Sequence, residues 1–273
     1  MVDRSALVTK LKNATVKLDE CDRNVTELYT GLYEVLEAIN IENEYVYQYI
    51  TYIYNFDNVD LYIDLLADMT PAIQNVTTLL NLTSGYMEYY MLETAVATNS
   101  IYNLTEGVKE FDNGTDCYIQ KLKKDNNGSN PDDIEILNAN ITKELNQLHT
   151  LSNATAIYED FVWGIYSDML GYISNIGELN NGLLGYIGFL YDSEIISEKL
   201  VDDIAEIAED VNYNVDKVFQ LYEDYYSAMM ALVNTSLIDM SSSIAVVYNQ
   251  TKELDTKIAA LTTTSTTTVA AKN

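Results

Sequence analysis

Residues 7–39 read LVTKLKNATVKLDECDRNVTELYTGLYEVLEAI, and the fold class turns on their spacing. Leu7, Leu11, Ala14, Leu18, Cys21, Val25, Leu28, Leu32, Val35 and Ile39 are separated alternately by four and three residues. Such a repeat lines one face of an α-helix, whereas a strand alternates its side chains with period two. After the polar Glu42 the same phase resumes at Val46, Tyr49, Ile53 and Phe56. The spacing therefore predicts one helix, or two nearly collinear ones, over residues 5–60, on the order of 80 Å at 1.5 Å per residue. Only around Tyr45 to Tyr54 do the Tyr and Ile residues also suit a strand.

A second seam repeats the pattern through Leu200, Ile204, Ile207, Val211, Asn214, Val218, Leu221, Tyr225, Ala228 and Leu232. It then slips phase and restarts at Leu237, Met240, Ile244, Val247, Thr251, Leu254, Ile258 and Leu261. A slip of this kind predicts a kink or a change of packing partner. Weaker helical stripes lie between the seams, at Ile73 to Met91 and at Ile134 to Ile176. Turn chemistry at Met69-Thr70-Pro71, at Asp112-Asn113-Gly114 and over Lys123 to Asp133 predicts breaks.

The expected fold is all-α: an elongated helical bundle that pairs long N- and C-terminal heptad helices, with shorter central helices packed against them. A coiled-coil oligomer is the competing form, because heptads serve both. The expected divisions are residues 1–112, a long helix and helical hairpin; 113–133, a loop or linker; 134–261, a helical region with a Gly-rich corner; and 262–273, a Thr-rich mobile tail.

The chain of 273 residues carries 42 Asp and Glu against 15 Lys and Arg, a net charge of −27, and this balance repels nucleic acid. One His and two Cys do not make a Cys/His zinc centre. No run approaches the ~18 apolar residues of a spanning helix. His149 is the sole imidazole and has no Ser or Cys motif beside it. The carboxylate pairs Glu159-Asp160, Asp202-Asp203 and Glu209-Asp210 read as solvated helix faces, and no phosphate loop or EF-hand pattern occurs. No catalytic residue, cofactor site or metal site is expected, and the chain is read as a non-enzyme.

Asn-X-Ser/Thr occurs 11 times, at Asn13, Asn24, Asn75, Asn81, Asn103, Asn113, Asn127, Asn140, Asn153, Asn234 and Asn249. The Asn, Ser and Thr content predicts about four by chance, so N-glycosylation and an extracellular or virion-surface location are expected. Asn24 lies beside the seam and is the poorer acceptor. The first seven residues have no apolar core of a signal peptide, and a removed leader or export on a virus particle reconciles this with the sequons. Cys21 and Cys117 form an even pair that either bridges or stays reduced, Cys21 then being a small core residue.

Sequons are absent from Val25 to Gln74 and from Ala154 to Val233. The first gap contains Tyr45, Tyr49 and Tyr52; the second contains Trp163, Leu184, Phe189 and six of the 11 glycines. These residues form the candidate interaction surface, since a glycan obstructs close contact and aromatic rings supply rigid contact area. Within the second gap Leu179 to Tyr191 carries no charge. It is either a tight helix–helix corner or a membrane-active segment, similar in layout to the tongue of helical pore-forming toxins.

The acidic, Tyr-, Asn- and Thr-rich composition, the dense sequons and the heptads resemble those of surface and virion glycoproteins of thermoacidophilic archaea and their viruses. That resemblance implies a structural role with no catalytic residues. The expected function is therefore a noncatalytic extracellular or virion structural glycoprotein that self-assembles through helical packing, its partners being further copies or other structural proteins. A pore-forming or fusion-like protein using residues 179–191, touching but not spanning a membrane, is one alternative. An adhesion protein using a Tyr-rich face is another. In acid the carboxylates protonate and the net charge reverses to about +16, which relieves repulsion between copies.

Overall fold

A computed structural model describes residues 4–124, 132–193 and 196–270. The described chain is helical: α1 (Arg4–Tyr54), α2 (Val59–Lys124), α3 (Asp132–Asp192), α4 (Glu198–Ala231), a π-helical turn (Leu232–Leu237) and α5 (Ile238–Ala270). Among the described residues there is no strand, and Tyr45 to Tyr54 is the last part of α1.

The chain divides into two compact units. Unit 1 comprises Met1–Asp22, Leu92–Asp160 and Met230–Asn273; unit 2 comprises Arg23–Met91 and Phe161–Met229. In unit 2 four helical segments run up, down, up and down. Neighbours are joined by Tyr49–Tyr62 ring contact (α1 with α2), by Asn180 Nδ2 donating to Thr77 Oγ1 at 2.9 Å (α3 with α2), by Asn175 Nδ2 donating to Asn214 Oδ1 at 3.3 Å (α3 with α4) and by Asn43 Nδ2 donating to the Ala208 carbonyl at 2.9 Å (α1 with α4). Unit 1 has the same ring of neighbours. Lys17 pairs with Glu93, His149 Nδ1 lies 3.0 Å from Glu106 Oε1, Lys257 faces Asp133, and Lys12 sits over the Tyr248 ring.

The buried stripe explains why each unit takes four segments. In α1 the half-seam Leu11, Leu18, Val25, Leu32, Ile39, Val46 and Ile53 is buried throughout, as the spacing predicts. Of the expected partners Cys21 is buried, but Leu7, Ala14, Leu28, Val35 and Tyr49 are only half-buried, while Val8, Thr15, Tyr29, Leu36, Asn43 and Ile50, one residue further on, are buried. The apolar face is thus three positions wide, as a helix needs when it touches two neighbours in a bundle. In α4 likewise, Val201, Ala208 and Val215 join the buried seam.

Several expectations are corrected. The central helices are not shorter: α2 has 66 residues and α3 has 61, against 51 for α1. Helix α2 passes through Pro71, because Leu66, Ile73, Leu80 and Met87 stay buried in one unbroken heptad phase on both sides of it. Burying such side chains contributes ~1.5–3 kcal/mol each, against ~3 kcal/mol for an interior proline whose ring here faces solvent. The same helix continues through Asp112-Asn113-Gly114 to Lys124, within the stretch expected as a loop over 113–133. The predicted helix of residues 5–60 stops at Tyr54, where α1 turns back into α2. The Thr-rich end is helical to Ala270, beyond the boundary expected at residue 261.

The phase slip after Leu232 is the π-turn. Buried positions run Val218, Tyr225, Ala228, Met229 and Leu232 before it, then Leu237, Met240, Ile244, Val247, Thr251 and Leu254 after it. The second set is displaced by one residue from the continuation of the first, and a single π-helical turn absorbs one extra residue.

Candidate functional site

The two sequon-free stretches meet in unit 2. The turn at 55–58, the end of α3 and the start of α4 flank one core cluster: Val46, Ile50 and Ile53 of α1, Leu66 and Ile73 of α2, Leu183, Ile187 and Leu190 of α3, and Leu200, Val201, Ile204 and Ala208 of α4.

The first turn closes by local chemistry. The Phe56 amide donates to the Ile53 carbonyl at 3.0 Å and the Asp57 amide to the Tyr52 carbonyl at 3.1 Å, the paired bonds of a Schellman cap. That cap places its central residue in the left-handed region, usually as glycine; here it is Phe56, with φ 59°. A β-carbon in that conformation costs ~1–2 kcal/mol, and the ring gains no burial in return, being 87% exposed. Asn58 follows with φ 42°, which an Asn tolerates better than most residues. Ser197 caps α4, its Oγ accepting from the Leu200 amide at 3.2 Å.

Of the candidate contact residues, Tyr45 and Phe189 are exposed. Tyr49, Tyr52, Trp163 and Leu184 are half-buried. Tyr45 stacks on Tyr49, and Tyr62 takes the rings of Tyr49 and Tyr52 at 5.6 and 4.6 Å. Leu184 packs against the core cluster beside Leu183, Ile187 and Leu190. The apolar content of 179–191 is therefore largely spent inside the unit, leaving Tyr186, Phe189 and Tyr191 outward. Tyr54, another ring of the first sequon-free gap, is exposed beside the same turn; residues missed by sequence reasoning are Phe56 and Leu61, exposed there too, and Tyr213 on α4. Phe56 sat in phase with the seam, so its pattern pointed inward.

The glycines of α3 do not form a tight corner. Gly164, Gly171, Gly185 and Gly188 have no neighbouring atom within 4 Å of where a β-carbon would stand, and Gly182 meets only Ile207, at 3.8 Å. Open grooves of about 530 and 800 Å³ run between α3 and α4, the first lined by Gly182, Gly185, Tyr186, Phe189 and Leu200, the second by Gly171, Tyr172, Lys217 and Leu221.

The titratable groups have structural occupations. Lys199 pairs with Asp203 at 2.6 Å, and the Tyr47 hydroxyl donates to Glu209 at 3.0 Å. Burial pushes Glu159 up to about 7 although the Thr98 hydroxyl donates to it at 2.5 Å, and burial pushes Asp22 up to about 6, with neighbouring Asp19 adding to the shift. The His149 ring lies 4.7 Å from that of Tyr102, tilted by 34°, and faces Glu106, which a hydrogen bond from Lys109 holds below the usual carboxylate range. Among the described residues no three His, Cys, Asp or Glu side chains are grouped to hold a metal ion, and no helix is long and apolar enough to cross a membrane.

The two thiols are unbonded, Cys21 buried and Cys117 exposed. Cys21 lies level with Thr94 of α2, which hydrogen-bonds its thiol. Cys117 is 23 residues further along that helix, about 35 Å away. A disulfide requires Cα atoms within ~7 Å.

Asn13, Asn75, Asn81, Asn103, Asn113, Asn140, Asn153 and Asn249 are exposed, and Asn24 is half-buried. The Asn234 side chain and all of Asn127 lie outside the described residues. The units differ sharply in what they carry. Unit 2 holds three of the 11 sequons, 19 of the 23 Tyr, the single Trp, 23 of the 42 carboxylates and three of the 15 Lys and Arg.

Comparison with known protein families, with characterised proteins and with solved structures finds no match to this chain.

Proposed function

We propose that this chain is a noncatalytic structural glycoprotein of a cell exterior or a virion surface, whose copies associate through unit 2 while unit 1 bears most of the sugar. The observation that carries this reading is the segregation of sequons from aromatic surface. Eight sequons fall in unit 1, whereas Tyr45, Tyr54, Phe56, Phe189 and Tyr213 stand exposed on unit 2. Contact surfaces are enriched in such rings, and a bulky sugar obstructs close approach. At neutral pH the 23 carboxylates of unit 2 repel those of another copy. In acid most of them are neutral, and Tyr, Asn and Gly surfaces meet without that penalty.

Light scattering from pH 7 to pH 3 tests the reading. Particle size is expected to grow as pH falls, and growth is expected to weaken in Phe56→Ser and Phe189→Ser. A chain that stays monomeric at high concentration at both pH values, or that disassembles in acid, rejects it. The exposed Phe56, Phe189 and Tyr191 beside the turns favour one second reading, membrane contact through the end of α3. Liposome leakage separates the two. Assembly predicts none, and membrane activity predicts leakage that Phe189→Asp abolishes.

A further inference from the structure

We propose that the helical sequons accept their sugars before the helices form, so that the folded chain is closed to the transferase. This rests on the glycoprotein reading and adds to it the state of the chain that is modified.

In five sequons the asparagine is exposed and the hydroxyl two residues later is buried: Asn13 with Thr15, Asn75 with Thr77, Asn103 with Thr105, Asn153 with Thr155, and Asn249 with Thr251. The cause is helical geometry. At 3.6 residues per turn, positions two apart point about 200° away from each other, so an outward Asn sends its Thr into the core. Buried threonines are tolerated because the hydroxyl can donate to the carbonyl four residues back. Thr15 donates to Leu11 at 3.1 Å, and Thr77, Thr105 and Thr155 donate to Ile73, Ile101 and Leu151 at 2.8 Å.

Transfer joins the Asn side-chain nitrogen to C1 of a sugar carried on a lipid phosphate. The new C–N bond replaces the C1–O bond, the lipid phosphate leaves with that electron pair, and the amide gives one proton to a base of the transferase. The acceptor is recognised through the Asn and the hydroxyl together, which is why the motif needs Ser or Thr at its third position. A folded helix cannot offer both to one protein surface. Thr105 and Thr155 are 0% exposed, and bringing either out requires unwinding the helix and opening the core around it. The product meets no such obstacle. An Asn that carries a sugar folds to the outside, and the hydroxyl, once read, is free to pack.

The test uses the full chain made without sugar and unfolded in urea. One portion is diluted into a mixture already holding an N-oligosaccharyltransferase and its lipid-linked donor. A second portion is refolded to full helical signal before both are added. An unstructured Asn-X-Thr peptide in each tube reports that the transferase works. Mass spectrometry is expected to find occupancy at Asn13, Asn103, Asn153 and Asn249 at least tenfold higher in the first tube. Occupancy within twofold between the tubes overturns the proposal, and so does none in either while the control peptide is modified. Native protein without sugar at these positions would instead refute the glycoprotein reading, leaving the order of events measured here intact.

Discussion

Glu159 and Asp22 are half-buried carboxylates of unit 1 that burial pushes up, Glu159 to about 7 against the hydrogen bond from Thr98 and Asp22 to about 6 with Asp19 adding to the shift. Between roughly pH 4 and 7 the folded chain therefore holds protons that the unfolded chain, near 4.5 and 3.8, does not. Stability rises wherever the folded state binds more protons as pH falls, so the chain gains stability from pH 7.5 down to about pH 4.5. Thermal melts should give a higher Tm at pH 5 than at pH 7.5. Glu159→Gln should raise Tm at pH 7.5 and leave it nearly unchanged at pH 5, and a flat profile in the natural chain would count against the assignment. The exposed glycines of α3 give a second residue-scale expectation. Gly171 and Gly185 sit inside a helix with open space around them, where glycine costs ~0.5–1 kcal/mol relative to alanine. Gly171→Ala and Gly185→Ala should each stabilise the chain by about that amount in urea titrations.

At the scale of elements, the π-turn makes a sharper prediction. Deleting Val233 removes the extra residue, brings Leu237 and Met240 into phase with Met229 and Leu232, and leaves Asn234-Thr235-Ser236 intact. Helical content and Tm should stay within a few degrees of the natural chain, whereas deleting Gln220, inside the regular part of α4, should lower Tm by 10 °C or more. The slip was legible because apolar residues mark both phases. The width of the α1 face was not, because half of its inner row is polar: Thr15, Tyr29 and Asn43 are buried there and their residue types suggest surface. Asn43 is affordable inside because it donates to the Ala208 carbonyl and to Asn212 across the α4 face, contacts that no local pattern announces. Pro71 misled in the opposite direction. Its turn signal is local, and Leu66 and Ile73, a full heptad apart, outweigh it only once neighbours cover them.

At the scale of the whole molecule, two gaps in a linear map of sequons fold into one unit, and that coincidence was only half visible beforehand. The gaps are countable in the sequence, but their meeting depends on α1, α2, α3 and α4 sharing one apolar cluster. Assembly and stability should part company here. The same Gly171→Ala and Gly185→Ala changes that stabilise the isolated chain put methyl groups on an open face of unit 2, and acid-induced growth in scattering should weaken in both. Equal growth in the natural and alanine chains would remove that face from the contact.

Trp163 belongs to unit 2, where its ring lies 6.1 Å from that of Tyr166 amid 19 of the 23 tyrosines. Light absorbed by those tyrosines at 280 nm passes by dipole coupling to the one indole. Its emission, red-shifted from that of tyrosine, is thus an antenna-fed optical label, already built into the natural chain, that reports on the surroundings of one indole in unit 2.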